Sequence, residues 1–355
     1  MLEQLTQTLA NLWSKQRSQL IYCALDAKQV DDTRDYVALQ KGRHYVRLWL
    51  AQVYLAKQVQ YFQTWYPAVH SLVKFTFDAQ PIAFPSVADA SKVGMKQLEV
   101  TGDVIARNYV ITPLIPFNDG TIDIDAGLVA IQGQNYLKSF LETLSDFSSL
   151  LAVPQFSAAL SVAGPLAKGL EGLLGTGGVK LALHDGFAEG RMGGYWLALA
   201  ATEQDVAPAD LNVRNGQVCL VNRLDRSLCA PLEGYDFMLF RIEVTEQGPD
   251  YKNLSTIQDQ MKAASKSLLD GDADKAGAYY RAAIVAAHEA PELTNADRTR
   301  MKLQLKDDFA KLKNDLGFSG LVGHEFDLSE SMARAIPVAR ALEMGDPSFG
   351  ELFAE

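Results

Sequence analysis

A histidine and two cysteines follow one another in an order that permits nucleophilic chemistry. His184 lies at the end of a predicted strand, and Cys219 and Cys229 come later in the chain. A cysteine attacks a carbonyl carbon as its thiolate, and a neighbouring imidazole takes the proton, so the two side chains must meet in the fold. His184 and Cys229 are therefore the candidate catalytic residues. Ordinary structural roles for both remain the alternative.

The same order is similar to that of caspase-like cysteine peptidases, in which a His-Gly pair after one strand faces a cysteine after another. In this chain Asp185 separates His184 from Gly186, and Cys229 lies in the run RSLCAPLEG. The resemblance implies a cysteine peptidase with a dyad of His184 and Cys229. We keep that activity as one alternative function.

Three aspartates around an Asn-Asp-Gly turn are candidate metal ligands: Asp119, Asp123 and Asp125. They do not fit the EF-hand calcium loop, because Ala126 stands where that loop has its closing glutamate. The competing interpretation is a turn followed by a half-exposed strand, since isoleucines alternate with Asp123 and Asp125. The five histidines are scattered without metal-ligand spacing,. The sequence therefore predicts no metal site.

Charge and glycine spacing argue against two further classes of ligand. The net charge is −10, whereas nucleic-acid binding needs clustered lysine and arginine,. The glycine-rich segment at residues 164–194 has Gly178 where a P-loop has its lysine,. We therefore predict no nucleic-acid partner and no cofactor.

Short apolar segments separated by turn residues predict the elements that position these side chains. Such a pattern is typical of a mostly antiparallel sheet or sandwich. With the helical patterns elsewhere, it indicates the α+β class. Residues 1–22 have helical spacing, and the start of the segment 43–77 fits a helix or a buried strand equally well. The predicted strands are 73–77, 81–84, 98–112, 121–131, 180–184, 195–201, 217–221 and 236–243.

Near residue 248, helical patterns replace strand patterns in the sequence. We expect a body at 1–247, a helical module at 248–317 and an acidic C-terminal segment at 318–355. Within the body we expect an N-terminal helix, a buried helix pair at 135–174, and β-rich regions before that pair and at 180–243.

Part of the helical module resembles a single tetratricopeptide repeat. Ala264, Gly271, Ala276, Tyr280 and Ala283 lie close to the spacing of that unit, in which small residues let two helices approach,. The resemblance implies a partner-binding hairpin with Ala276, Tyr280 and Ala283 as the binding residues. A plain helical hairpin is the alternative.

A long stretch without charged residues, 147–167, suggests another possible activity. It has the length of a membrane span, but it contains four serines, Gln155, Pro154 and Pro165,. We interpret it as part of a helix pair buried in a water-soluble protein. A membrane-active effector that releases residues 147–174 into a bilayer is the alternative.

These observations favour a non-catalytic protein that acts through another protein, as an adaptor, a scaffold or an effector-associated component. Three cysteines are few for a disulfide framework, and the N-terminus does not resemble a signal peptide,. We therefore expect a reducing, cytoplasmic location. This interpretation predicts that deleting residues 248–355 abolishes partner binding.

Overall fold

The fold combines antiparallel sheets with helices. The computed structural model describes residues 20–56, 59–60, 63–77, 80–89, 106–132, 178–225 and 227–316. The chain divides into two compact units, Met1–Gly248 and Pro249–Glu355. The described part of the first unit is built from antiparallel strands, and that of the second contains three helices. The α+β class predicted from the sequence is confirmed.

The strands of the first unit are numbered in chain order over the described residues. They are β1 (Ile21–Ala24), β2 (Tyr45–Tyr54), β3 (Val59–Gln60), β4 (Gln63–Phe77), β5 (Gln80–Asp89), β6 (Ala106–Val110), β7 (Ile115–Pro116), β8 (Ile122–Gln132), β9 (Gly178–Phe187), β10 (Gly194–Leu199), β11 (Leu211–Arg214), β12 (Gln217–Val221), β13 (Cys229–Pro231) and β14 (Phe237–Thr245).

The first sheet has the strand order β1-β10-β14-β2-β6, and β7 also pairs with β2. Strand β2 resolves the segment for which the sequence fitted a helix and a strand equally. It hydrogen-bonds to β14 along one edge and to β6 and β7 along the other. Its side chains are buried at almost every position, so the strand shows no alternation that sequence periodicity could detect,.

The second sheet has the order β3-β4-β8-β9, and β5 pairs with β4. Strand β4 has 15 residues and extends well before the predicted segment 73–77. Among the described strands, β5 pairs with β4 alone. It carries Pro81 and Pro85, which cannot donate backbone hydrogen bonds, so its position agrees with their preference for an edge strand,.

The two sheets share one hydrophobic core, as in a β-sandwich. The core joins Leu48, Leu50 and Phe240 of the first sheet to Val73, Phe84 and Leu128 of the second. Side chains from the inner faces of two packed sheets exclude water from each other, which stabilises the sandwich through hydrophobic burial.

A small third sheet, β11-β12-β13, covers the opposite face of the first sheet. Leu197 and Leu239 of the first sheet lie in one core with Leu211, Val213 and Val218 of the small sheet. This core fixes β11 and β12, and it thereby positions the connection between β12 and β13.

The second unit contains helices α1 (Ser255–Leu269), α2 (Ala273–Glu289) and α3 (Asn295–Asp315). Helices α1 and α2 pack against each other, and α3 packs on α2. Gly271 lies between α1 and α2 with a φ of 80°, a conformation that glycine adopts without steric cost,. Ile257, Ala283 and Leu305 are fully buried in the core of this unit.

One predicted boundary is wrong, and several predicted segments lie outside the described residues. Residues 21–24 form β1, not the end of a helix, because they pair with the edge of β10. The rest of the N-terminal segment, the helix pair at 135–174 and the acidic segment at 318–355 are not described. No helix among the described residues is long and apolar enough to span a membrane.

Candidate functional site

The second sheet brings together two of the residues that the sequence singled out. Asp125 on β8 lies between Leu72 on β4 and His184 on β9 in the strand register. Lys74 lies two residues beyond Leu72 on β4, so its side chain projects from the same face of the sheet,. Lys74, Asp125 and His184 therefore form a polar row across three strands.

Asp125 is the centre of this row and is completely buried. Its Oδ1 accepts a hydrogen bond from His184 Nδ1 at 2.6 Å. Its Oδ2 lies 3.1 Å from Lys74 Nζ in an ion pair without a well-aligned hydrogen bond. A carboxylate that accepts from Nδ1 fixes the ring orientation and leaves Nε2 as the second ring nitrogen. The His184 side chain is 47% exposed, so the row can hold an oriented imidazole at the surface.

The burial of Asp125 corrects the expectation of a half-exposed strand face. Asp123 is half-buried, whereas Asp125 has no exposed surface. Alternation in β8 identified which residues share a face, but it carries no information about adjacent strands. Lys74 and His184 come from those strands and compensate the buried carboxylate,.

The three aspartates proposed as metal ligands do not converge. Asp119 forms an ion pair with Lys41, and the hydrogen bond from that amine lowers the pKa of the Asp119 carboxyl. Asp123 lies against Gly186, and Asp125 is engaged by the polar row. Across the described ranges, no group of three or more His, Cys, Asp or Glu residues could hold a metal ion.

The candidate thiol is not available for catalysis, because Cys229 forms a disulfide with Cys219. His184 lies on β9 of the second sheet, while Cys229 lies on β13 of the small sheet. The proposed dyad therefore lacks a thiolate in this structure. Strand pairing brings the two Cα atoms to 5.5 Å, a proximity that the number of cysteines could not indicate.

The third cysteine, Cys23, is a free thiol on β1. Burial raises its pKa to about 11, with a smaller contribution from the negative charge of Glu203. Cys23 is therefore protonated near neutral pH, and a protonated thiol is a poor nucleophile.

The disulfide closes a surface loop that the sequence analysis missed. Residues 222–225 and 227–228 are the described part of the connection between β12 and β13, between Cys219 and Cys229, and we call them the Leu224 loop. Leu224 is 98% exposed and Leu228 is 56% exposed. The loop thus holds two leucines in solvent on a connection that is covalently closed at its base.

Local hydrogen bonds fix the shape of the Leu224 loop. The backbone N–H of Asn222 donates to the Leu228 carbonyl at 2.9 Å, and the Leu228 N–H donates to the Asp225 carbonyl at 3.0 Å. Asn222 Oδ1 accepts from the Leu224 N–H at 2.8 Å. Asp225 Oδ1 accepts from both the N–H and the hydroxyl of Ser227. These short-range contacts are typical of Asn and Asp in turns.

An ion pair connects the loop to Asp210, which lies directly before β11. Arg223 Nε donates to Asp210 Oδ2 at 2.7 Å, and the Arg223 side chain remains 76% exposed. The loop therefore presents an apolar side chain beside an accessible guanidinium. The sequence did contain a signal for it, since Asn and Asp turn residues lie between two cysteines ten residues apart.

The three proposed partner-binding residues lie in the interior of the helical unit. Ala276 and Ala283 have no exposed surface. The ring of Tyr280 stacks on Phe309 of α3 with 4.5 Å between ring centroids, and burial raises the pKa of its hydroxyl. A partner cannot contact the two alanines in this conformation. Among the described residues of the unit, the exposed leucines are Leu269 and Leu303.

Comparison with known proteins adds no assignment, because no protein-family model, curated protein or solved structure matches this chain.

Proposed function

We propose that this protein acts by binding a partner protein, and that the Leu224 loop is the main contact. The observation that carries this proposal is the exposure of Leu224, which is 98% accessible on a loop closed by a disulfide. Single exposed apolar residues are common on protein surfaces. Leu224 differs from such residues, because its loop is closed by a disulfide and held by its own hydrogen bonds.

Burial of Leu224 in a partner would provide the driving force. Removing a leucine side chain from water is worth about 2 kcal/mol. Binding also costs conformational entropy when a flexible segment becomes ordered. The disulfide and the hydrogen bonds of Asn222 and Asp225 order the loop beforehand, so this cost is small.

The side chains of the loop indicate the chemistry of the partner. Leu224 fits an apolar pocket, and the exposed guanidinium of Arg223 favours carboxylates at the rim of that pocket,. We therefore propose a protein partner with an apolar pocket bordered by acidic residues.

The helical unit, which the sequence predicts as the partner-binding part of the chain, is the second candidate contact surface. Its outward-facing candidates are Leu269 at 67% exposure and Leu303 at 62%. Leu303 lies in the middle of α3 and provides a matched comparison for Leu224, since both are exposed leucines.

Cytoplasmic location remains the proposed compartment. Disulfides in the cytoplasm are uncommon and are usually transient, catalytic or redox-sensing. In a cytoplasmic location, the Cys219–Cys229 pair is therefore a candidate redox-sensitive site,. The membrane-active alternative depends on residues 147–174, which the structure does not describe.

Site-specific crosslinking tests the proposal. The full-length protein is made in its native host with a photoreactive amino acid at position 224 or, as the control, at position 303. We expect light to produce one dominant protein adduct from position 224, and mass spectrometry identifies the partner. An adduct from position 303 with none from 224 would contradict the proposal and favour the helical unit.

A further inference from the structure

The two cysteines of the Leu224 loop differ in their access to solvent. Cys219 lies on β12 and is only 5% exposed, whereas Cys229 on β13 is half-buried. The two residues after Cys229, Ala230 and Pro231, are exposed. Cys229 is therefore the more accessible residue of the pair for a reagent approaching from solvent.

Few other contacts hold β13 in place. The strand has three residues and pairs with β12 alone among the described strands. A strand of three residues has few backbone hydrogen bonds, so the disulfide is a substantial part of what holds β13 to β12. Beyond β13, Leu232 is buried and its N–H donates to the Val218 carbonyl at 3.1 Å. Loss of the disulfide would therefore loosen the Leu224 loop and β13 and leave the anchors on either side in place.

We propose that the Cys219–Cys229 disulfide is a thiol–disulfide exchange site for a protein dithiol, and that its reduction lowers the affinity of the Leu224 loop for the partner. This inference rests on the proposed function. It assigns a modification to a pair of residues and names a dithiol reductase as the class of reactant. The oxidised chain is the binding form, and the reduced chain is the weaker one.

The exchange proceeds in two steps. A thiolate of the dithiol attacks Cys229 Sγ, a mixed disulfide forms, and Cys219 leaves as a thiolate that takes up a proton. The second thiol of the reductant then attacks its own sulfur in the mixed disulfide and releases Cys229 as a thiol. Two electrons pass to the cystine, and the reductant becomes a disulfide.

Cys23 does not compete in this reaction. Its position on β1 places it in a different sheet, and burial keeps it protonated near neutral pH,. The exchange is therefore confined to the pair that closes the Leu224 loop.

The first test measures the loop without any partner. Full-length protein is kept oxidised or is reduced with a thioredoxin-type dithiol protein, and mass spectrometry counts the alkylated cysteines. Trypsin then cleaves each form, and the peptides ending at Arg223 and at Arg34 are quantified. Arg34 is an exposed arginine of the first sheet region and serves as the control site.

We expect alkylation of Cys219 and Cys229 after reduction, and cleavage after Arg223 that is at least about tenfold faster than in the oxidised form. Cleavage after Arg34 should not change. A variant with both Cys219→Ser and Cys229→Ser should be cleaved at the fast rate with or without the dithiol. Equal cleavage after Arg223 in both forms, or a disulfide that the dithiol leaves intact, would overturn the inference.

The second test uses the partner identified by crosslinking. We expect reduced protein and the double-serine variant to bind it at least about tenfold more weakly than oxidised protein. If reduction opens the loop but the affinity for the partner does not change, the proposed redox regulation is refuted. The proposal of partner binding would then still stand. If no adduct forms at position 224, the proposed function fails, while the cleavage test still decides whether the exchange opens the loop.

Discussion

His70 is a buried histidine without a hydrogen-bond partner among the described residues. It lies on β4, on the same face of the second sheet as Lys74. Burial lowers its pKa from 6.5 to about 4, because the charged imidazolium would lose its hydration,. The native state therefore keeps His70 neutral at pH values where the unfolded chain already binds a proton.

The sign of the pH effect follows from that difference. Between about pH 6.5 and pH 4 the unfolded state binds more protons than the native state, so the free energy of unfolding falls as the pH falls,. Above about pH 6.5 His70 is neutral in both states, so it causes no loss of stability. Across the whole window the loss amounts to roughly 3 kcal/mol, since one pKa unit corresponds to about 1.4 kcal/mol.

We predict that His70→Leu flattens the pH dependence of stability in the first unit. Leucine does not titrate and is compatible with an apolar site. Urea unfolding followed by tryptophan fluorescence checks this at pH 7.5, 6 and 5. All four tryptophans precede residue 249, so the signal excludes His288, which lies in the helical unit. Parallel pH profiles for wild type and variant would rule out this role of His70.

The residue scale also shows where sequence patterns are informative. Alternation in β8 placed Asp123 and Asp125 on one face, but Lys74 and His184, which contact Asp125, come from other strands. Likewise, the number of cysteines said nothing about their distance in space. Both features depend on strand register, which is a long-range property.

At the scale of elements, α3 was the most predictable segment. It starts at Asn295, directly after Thr294, and Thr294 Oγ1 accepts a hydrogen bond from the Asp297 N–H at 3.2 Å. A threonine at this position satisfies one of the amides that have no partner within the helix. Such a local signal is visible in sequence because the cap and the amide lie three residues apart.

We predict that Thr294→Val destabilises the helical unit by about 1 kcal/mol, because valine keeps the shape of threonine but removes the oxygen. Thr294→Ser retains the hydroxyl and should lose clearly less. Urea unfolding followed by far-UV circular dichroism of the helices measures both variants. Wild-type stability in Thr294→Val would show that the cap does not contribute.

Strands were harder to predict than helices for a physical reason. Strand β2 is buried along most of its length and lacks alternation, and β1 exists because the edge of β10 is available for pairing. The partners of both strands lie far away in the chain. Local propensity cannot report such contacts, whereas helix caps and helical spacing are local.

At the scale of the whole molecule, separate hydrophobic cores stabilise the two units. The sandwich core and the core beneath the small sheet lie within the first unit, and two further clusters lie among the helices of the second. The change of sequence pattern near residue 248 reflects this change from sheets to helices. The exposed leucines of the two units therefore provide independent candidate surfaces, Leu224 in the first and Leu303 in the second.

The most direct test of the account is the affinity of the crosslinked partner for three forms of the oxidised full-length protein: wild type, Leu224→Asp and Leu303→Asp. Calorimetric titration with purified partner gives each Kd. Loss of a central apolar anchor costs about 2 kcal/mol or more, so we predict a Kd at least about 30-fold higher for Leu224→Asp and an unchanged Kd for Leu303→Asp. Wild-type affinity in Leu224→Asp would contradict the proposed contact.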